Sequence, residues 1–145
     1  MAGNAGMTPR ERILHECEQR GKPRFVAGCA ALLGGGEADD GLILVLGGEA
    51  AGYVLAGRDG GPHGYWPRVW AARGLLHAWD DQATAAIIAA TGDDAWRVRE
   101  MAAKVVARHR IGDALQAVTA LRDDPVPRVR AAAGRAVTAI TAGAA

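Results

Sequence analysis

The sequence has no serine, only two cysteines and few aromatic residues, which make up 5% of its 145 residues. Without serine, the enzymes that use a serine nucleophile are excluded. Cys17 and Cys29 stand in no metal or redox spacing, so we expect two buried free thiols in a reducing compartment. The four histidines form no metal spacing either. We therefore expect no catalytic activity, no metal and no cofactor.

Long apolar runs are also missing. No run of 18 apolar residues occurs, and the N-terminus is rich in Gly, Asn and Thr rather than in the charged and then apolar residues of a leader. We expect a soluble, cytoplasmic protein without a membrane segment. Residues 1–8 are predicted to be disordered and residues 9–145 to form a single domain.

The formal charge of +1 does not select a polyanionic partner. Its distribution along the chain is uneven. Residues 95–145 carry nine Lys/Arg against four Asp/Glu, a balance of +5, whereas residues 1–94 carry eight against twelve, a balance of −4. The basic second half is a mild indication of an anionic partner.

What the sequence does contain is helix-forming material. Half of its residues are apolar, and Ala and Gly supply much of that fraction, which favours closely packed helices over strands. The run at residues 42–46 could be a buried strand, but no second strand is available to pair with it, so we predict a helix. Predicted helices cover residues 9–20, 23–33, 42–46, 49–56, 66–78, 81–91, 96–108, 111–121 and 127–140.

A short pattern occurs twice. The first copy is Asp93-Asp94-Ala95-Trp96-Arg97-Val98-Arg99, and the second is Asp123-Asp124-Pro125-Val126-Pro127-Arg128-Val129-Arg130. Asp93 and Asp124, Val98 and Val129, and Arg99 and Arg130 are each 31 residues apart. An altered third copy, Trp66-Pro67-Arg68-Val69-Trp70, places its Val 29 residues before Val98. A period of this size is typical of stacked supersecondary units.

The pattern of two aspartates, a short turn with proline and then Val-Arg-x-x-Ala-Ala resembles the HEAT repeat family, in particular its short bacterial form named after phycobilin-lyase-like proteins. The resemblance is clear over residues 66–140 and is extended to the N-terminus by analogy. It implies an all-α fold, an α-solenoid of about four to five HEAT-like helix pairs.

In such repeats an Asp six residues ahead of an Arg resembles a structural ladder that ties each unit to the next. Here Asp93 with Arg99 and Asp124 with Arg130 have that spacing. The Asp can cap helix amides while it accepts bonds from the guanidinium. Because Trp70 replaces the Arg in the upstream copy, the ladder is predicted to stop there.

Two further sets are candidates for binding. The first is a basic stripe. An arginine stands at the start of each repeat helix, and further cations follow it two or three turns later. The resemblance implies that these helices line the concave surface. Its members are Arg97, Lys104, Arg108, Arg128 and Arg135, with Arg68 as the upstream arginine. They could contact phosphates, or they could be a solvated face paired with aspartates.

The second set is aromatic. Trp66 and Trp70 are predicted to share a helix face with Arg73, and Trp96 begins the next equivalent helix. These residues could hold a planar or cationic group or anchor a peptide, or they could fill space left by alanines. Trp79, beside Asp80, fits the edge of the core.

Three functions follow. The first is a non-enzymatic adaptor, present as a single copy, whose concave face around Trp66, Trp70, Arg73 and Arg97 binds a protein segment. The second is nucleic-acid binding along the basic stripe. The third, by resemblance to the glycosylase branch of the family, is base excision with Asp80 or Asp81 as the acid, although both better suit a helix cap.

Overall fold

The computed structural model describes residues 6–37, 39–55 and 64–143, which form helices and turns without any strand. The α-helices are α1 (Pro9–Arg20), α2 (Lys22–Leu33), α3 (Asp40–Gly47), α4 (Ala51–Leu55), α5 (Trp66–His77), α6 (Thr84–Ala90), α7 (Trp96–His109), α8 (Leu115–Ala120) and α9 (Pro127–Gly143). Short 3₁₀ turns lie at Gly48–Ala50, Asp81–Ala83, Gly112–Ala114 and Leu121–Asp123. The prediction of an all-α fold is confirmed.

Local signals begin and end the N-terminal helices. The Thr8 hydroxyl accepts a bond from the Glu11 amide at 3.1 Å and caps α1, and the chain leaves α1 at Gly21 with φ of 96°. The Asp39 carboxylate caps α3 by accepting from the Leu42 amide at 2.7 Å, so the apolar run that follows is helical as predicted. Of the predicted disordered residues 1–8, residues 1–5 lie outside the described part, whereas Thr8 is ordered by its cap.

The helices form two packed rows, and a helix of one row pairs with a helix of the other. The first row contains α1, α2, α6 and α8, and the second row contains α3, α5, α7 and α9. The pairs in the described residues are α1 with α3, α2 with α5, α6 with α7, and α8 with α9. Helical pairing is predicted at the N-terminus too. There the first two pairs are interleaved in sequence, because α2 packs beside α1 within the first row and pairs with α5 of the second row.

The core lies between the rows and is made largely of small and aliphatic side chains. Phe25 of α2 and Leu46 of α3 are fully buried, as are Val98 and Val129 at matching positions of α7 and α9. Cys29 is buried and free, and desolvation raises the pKa of its thiol, so it serves as packing rather than as a nucleophile.

Close helix approach depends on Gly74 inside α5. A Cβ atom there would come within 2.9 Å of the Cys29 sulfur, 2.9 Å of a Leu46 methyl carbon and 3.1 Å of the Phe25 ring. All three neighbours are fully buried and cannot move aside into solvent. The position therefore requires glycine although it lies in a helix.

We predict that Gly74→Ala lowers the free energy of unfolding by about 1–3 kcal/mol, because the overpacking outweighs the gain in helix propensity. The matched control is Gly134→Ala in α9, where a Cβ meets nothing within 4 Å, and which should stabilise the protein by about 0.5–1 kcal/mol. Urea unfolding followed by circular dichroism measures both. Equal effects of the two changes would contradict the packing shown.

His109 at the end of α7 contacts α5 and the turn that follows it. Its Nε2 lies 2.8 Å from the carbonyl oxygen of Leu75, and its ring stacks on Trp79 with centroids 5.2 Å apart. Desolvation, with the Arg108 cation adding to it, lowers the pKa of His109, and desolvation also lowers the pKa of His77. The folded protein thus favours the neutral form of both rings.

This shift predicts a loss of stability in weak acid. As pH falls below the ordinary histidine pKa of about 6.5, the unfolded chain takes up protons that the folded chain resists, so the free energy of unfolding decreases. The variant His109→Gln should flatten this decrease between pH 7 and pH 5. Urea unfolding at several pH values is the measurement, and an unchanged slope in the variant would contradict the prediction.

Candidate functional site

Arginine and aspartate side chains join successive helices of the second row. Arg99 of α7 donates from Nε and Nη2 to the two carboxylate oxygens of Asp124, at 2.8 and 3.2 Å. Arg68 of α5 makes the same two bonds to Asp93, again at 2.8 and 3.2 Å. Each bidentate pair joins one repeat to the next, so a ladder is present.

The six-residue pairs predicted from the sequence meet in a different way. Arg99 donates from Nη1 to the backbone oxygen of Asp93 at 2.9 Å, and Arg130 donates to that of Asp124 at 2.7 Å. The Asp124 carboxylate instead accepts from the Val126 amide and from the arginine of the preceding repeat. Burial alone would raise the pKa of Asp124, but these bonds lower it.

The prediction that the ladder stops at the upstream copy is wrong. Arg68 lies 31 residues before Arg99 and forms the rung to Asp93. The upstream copy therefore keeps the 31-residue register, and the alignment of Val69 with Val98 is shifted by two residues. Pro67, which is buried, occupies the place of Val98.

Two residues of the aromatic set, Trp70 and Arg73, pack against α3. Trp70 is 7% exposed, and its ring packs against Gly47 in α3. Arg73 donates to the backbone oxygen of Leu46, at the C-terminal end of α3 where Arg12 also donates to that oxygen. Both guanidinium groups thus satisfy carbonyls that the helix end leaves open. Burial, and secondarily Arg12, lowers the pKa of Arg73.

The remaining members come together in what we call the aromatic–arginine stack. It lies at the N-terminal ends of α5, α7 and α9 and consists of Tyr65, Trp66, Trp96, Arg97 and Arg128. The Arg97 Cζ lies 4.5 Å from the Trp96 ring centroid, 5.6 Å from that of Trp66 and 5.9 Å from that of Tyr65. The Arg128 Cζ lies 5.3 Å from the Trp96 centroid, so rings and guanidinium groups alternate.

This stacking explains arginines at helix N-termini. A cation there opposes the helix dipole at a cost of about 0.3–1 kcal/mol, whereas a cation–π contact returns about 0.5–2 kcal/mol. Trp66 is 36% exposed, so the stack reaches the surface. Beside it runs a groove of about 440 Å³, lined by Gly64, Tyr65, Arg68, Asp94, Ala95, Trp96 and Arg97.

Arg97 keeps part of its hydrogen-bonding edge open. Its Nη1 donates to the Tyr65 hydroxyl at 3.2 Å, but within the described residues its Nε and Nη2 have no acceptor and no carboxylate pairs with it. The Arg97 side chain is half-buried, and neither atom is among the buried unsatisfied donors of the described residues. Three rings thus lie within 6 Å of this guanidinium, and two of its nitrogens keep their donors for a planar acceptor such as a carboxylate.

The basic stripe is partly neutralised by Glu100, which the sequence reasoning missed. Its side chain is 8% exposed, and its carboxylate lies 2.9 Å from the Arg128 Nε and 3.8 Å from the Lys104 Nζ. Arg108 and Arg135 are exposed. The five cations therefore do not form one continuous unpaired surface.

A strict 31-residue register would have predicted the stack from the sequence. It aligns Trp66 with Arg97 and Arg128, and Tyr65 with Trp96 and Pro127, so a ring or a cation occupies five of these six positions. Alignment of the upstream copy on Val69 hides this signal, because it shifts that copy by two residues.

Other chemistry finds little support in the part of the chain that the structure describes. No group of three or more His, Cys, Asp or Glu side chains there could hold a metal ion, and none of the helices is long and apolar enough to cross a bilayer. Asp80 caps the turn after α5 through the Gln82 amide, and Asp81 accepts from the Trp79 indole at 3.3 Å. Both aspartates thus have local structural contacts.

Stacked helix pairs joined by an arginine–aspartate ladder at a fixed period define an α-solenoid of helical repeats. The family model for HEAT repeats matches residues 65–138, just over half of the chain and the region of α5 to α9, and the chain belongs to the HEAT repeat family. Members of this family generally act as scaffolds for protein interaction. The comparisons with curated proteins and with solved structures gave no match.

The ladder leads to a quantitative prediction. Arg99 and Asp124 are only 15% and 5% exposed, so Arg99→Ala leaves a buried carboxylate unpaired and should destabilise the protein by about 3 kcal/mol. The Arg20–Asp39 pair, at 27% and 60% exposure, is the control and should be worth about 0–1 kcal/mol. Double-mutant cycles with alanine measure both coupling energies. Similar values for the two pairs would contradict a structural role of the ladder.

Proposed function

We propose that this protein is a non-enzymatic adaptor that binds an acidic segment of a protein partner at the aromatic–arginine stack. The observation that carries the proposal is the state of Arg97. Its Cζ lies within 6 Å of the ring centroids of Trp96, Trp66 and Tyr65, and two of its donor atoms have no acceptor in the described residues.

Preorganisation is the physical reason for choosing this surface. A free arginine side chain loses about 2 kcal/mol of rotamer entropy when it is fixed, but a stacked guanidinium has already lost most of it. A carboxylate of the partner could then accept two parallel bonds. Trp66 and the groove offer apolar surface beside that contact, and partly exposed Trp and Arg are the residue types that dominate protein interfaces.

A peptide-display selection tests the proposal. The wild-type protein is immobilised and offered random peptides, and we expect enrichment of peptides that contain Asp or Glu. Arg97→Gln should weaken the binding of a selected peptide at least tenfold, because a hydrogen bond to a charged group contributes about 1.5–3 kcal/mol. The matched control is Arg108→Gln, which removes an exposed cation from the same helix outside the stack.

The control also separates the nucleic-acid alternative. Phosphate binding along the basic stripe would depend on Arg108 and Arg135, and duplex DNA would be retained at about 50 mM salt. Pairing of Lys104 and Arg128 with Glu100 argues against that alternative. If acidic peptides are not enriched, or if the Arg97 and Arg108 variants lose the peptide equally, the proposed adaptor function is wrong.

A further inference from the structure

The outer face of α9 repeats a face that is covered elsewhere in the stack. In α7, which packs between α5 and α9, three positions are buried, with Ala103 and Val106 at 0% exposure. Their equivalents 31 residues later are less covered. Ala131, the equivalent of Glu100, is exposed. Gly134 and Val137, the equivalents of Ala103 and Val106, are half-buried.

The ladder is open at the same place. Arg130 donates from Nη1 to the backbone oxygen of Asp124, as Arg99 does to Asp93. Arg99 uses its other nitrogens to hold the carboxylate of the next repeat, whereas Arg130 is exposed and has no carboxylate partner among the described residues. Arg130 is thus oriented for a further rung.

The open face is basic and shallow. A groove of about 620 Å³ runs along it, lined by Arg122, Ala131, Gly134, Arg135, Val137, Thr138 and Ala139. Small residues at Ala131, Gly134 and Thr138 permit close approach of another helix. Two such faces would bring like charges together, so a symmetric dimer through α9 is disfavoured.

The opposite end of the stack has the complementary character. Glu11, Leu14 and Glu18 recur at helical spacing on the exposed side of α1, against one exposed cation, Arg10. On α3, Asp40 and Leu44 are exposed. Leu14 and Leu44 are 38% and 45% exposed, which is unusual for large apolar side chains in this structure.

We propose that a second copy of this chain stacks head to tail, its α1 and α3 covering the outer face of α9. In this arrangement α3 of the second copy takes the place that α9 occupies beside α7. Asp40, which is exposed, would face Arg130, together with Asp39, which caps α3 and pairs with Arg20 of its own chain. Leu14 and Leu44 would enter the groove of small residues. A head-to-tail contact uses a different face on each copy, so each added copy leaves one end open and further copies can add in a row.

Blocking each end separately tests the proposal. The N-terminal end is blocked by Leu14→Arg with Leu44→Arg, and the C-terminal end by Ala131→Trp with Arg135→Glu. All four positions are exposed, and circular dichroism confirms that the variants fold. Sedimentation is measured for each protein at concentrations from the micromolar range to about 1 mM. This range includes the Kd values expected for weak specific contacts.

We expect the mass of the wild type to rise continuously with concentration and each blocked variant to remain a single chain. An equal mixture of the two variants should form a dimer and stop there, since only one open pair of ends remains. A wild type that stays a single chain up to the highest concentration would overturn the proposal. The proposal would also be overturned if the wild type associates but an equal mixture of the two variants forms no dimer.

Discussion

The 31-residue distance between consecutive rungs is the constraint on which the second row of helices depends. A guanidinium on one helix holds the aspartate in front of the next helix with two bonds, and it also donates to a backbone oxygen of its own repeat. This fixes the rotation and the height of each helix relative to its neighbour. The apolar side chains between these helices only have to be small and regularly spaced, because the polar contacts set the register.

The same register places the aromatic–arginine stack. Successive helices of the second row begin at nearly the same height, so a ring at the start of one helix meets the guanidinium at the start of the next. Arg97 lies between two rings for that reason, and Arg128 follows on the far side of Trp96. The proposed binding surface is therefore a consequence of the ladder rather than a separate addition to it.

Repeat geometry also gives the molecule two unlike ends. Within the described residues, the internal helix pairs are covered on both sides and the terminal pairs on one side. One end exposes carboxylates and leucines, whereas the other exposes arginines and small residues. The uneven charge of the two halves, −4 and +5, thus becomes a polarity along the stack. Solenoids need capped ends for solubility, and a head-to-tail contact would supply that cover.

The sequence by itself determined the all-α fold, the repeat period and most helix boundaries, because these depend on local caps, on helical spacing of apolar residues and on recurrence. Asp93, Asp124 and Arg99 could be assigned to the ladder for the same reason. Only the tertiary structure decided which side chains meet. Trp70 and Arg73 share a helix with Trp66, yet they turn toward α3 and its end, because α3 packs beside α5 in the second row. The interleaving of the α1–α3 and α2–α5 pairs has no local signal, and the rung formed by Arg68 depends on a neighbouring helix, so only the packed arrangement reveals both.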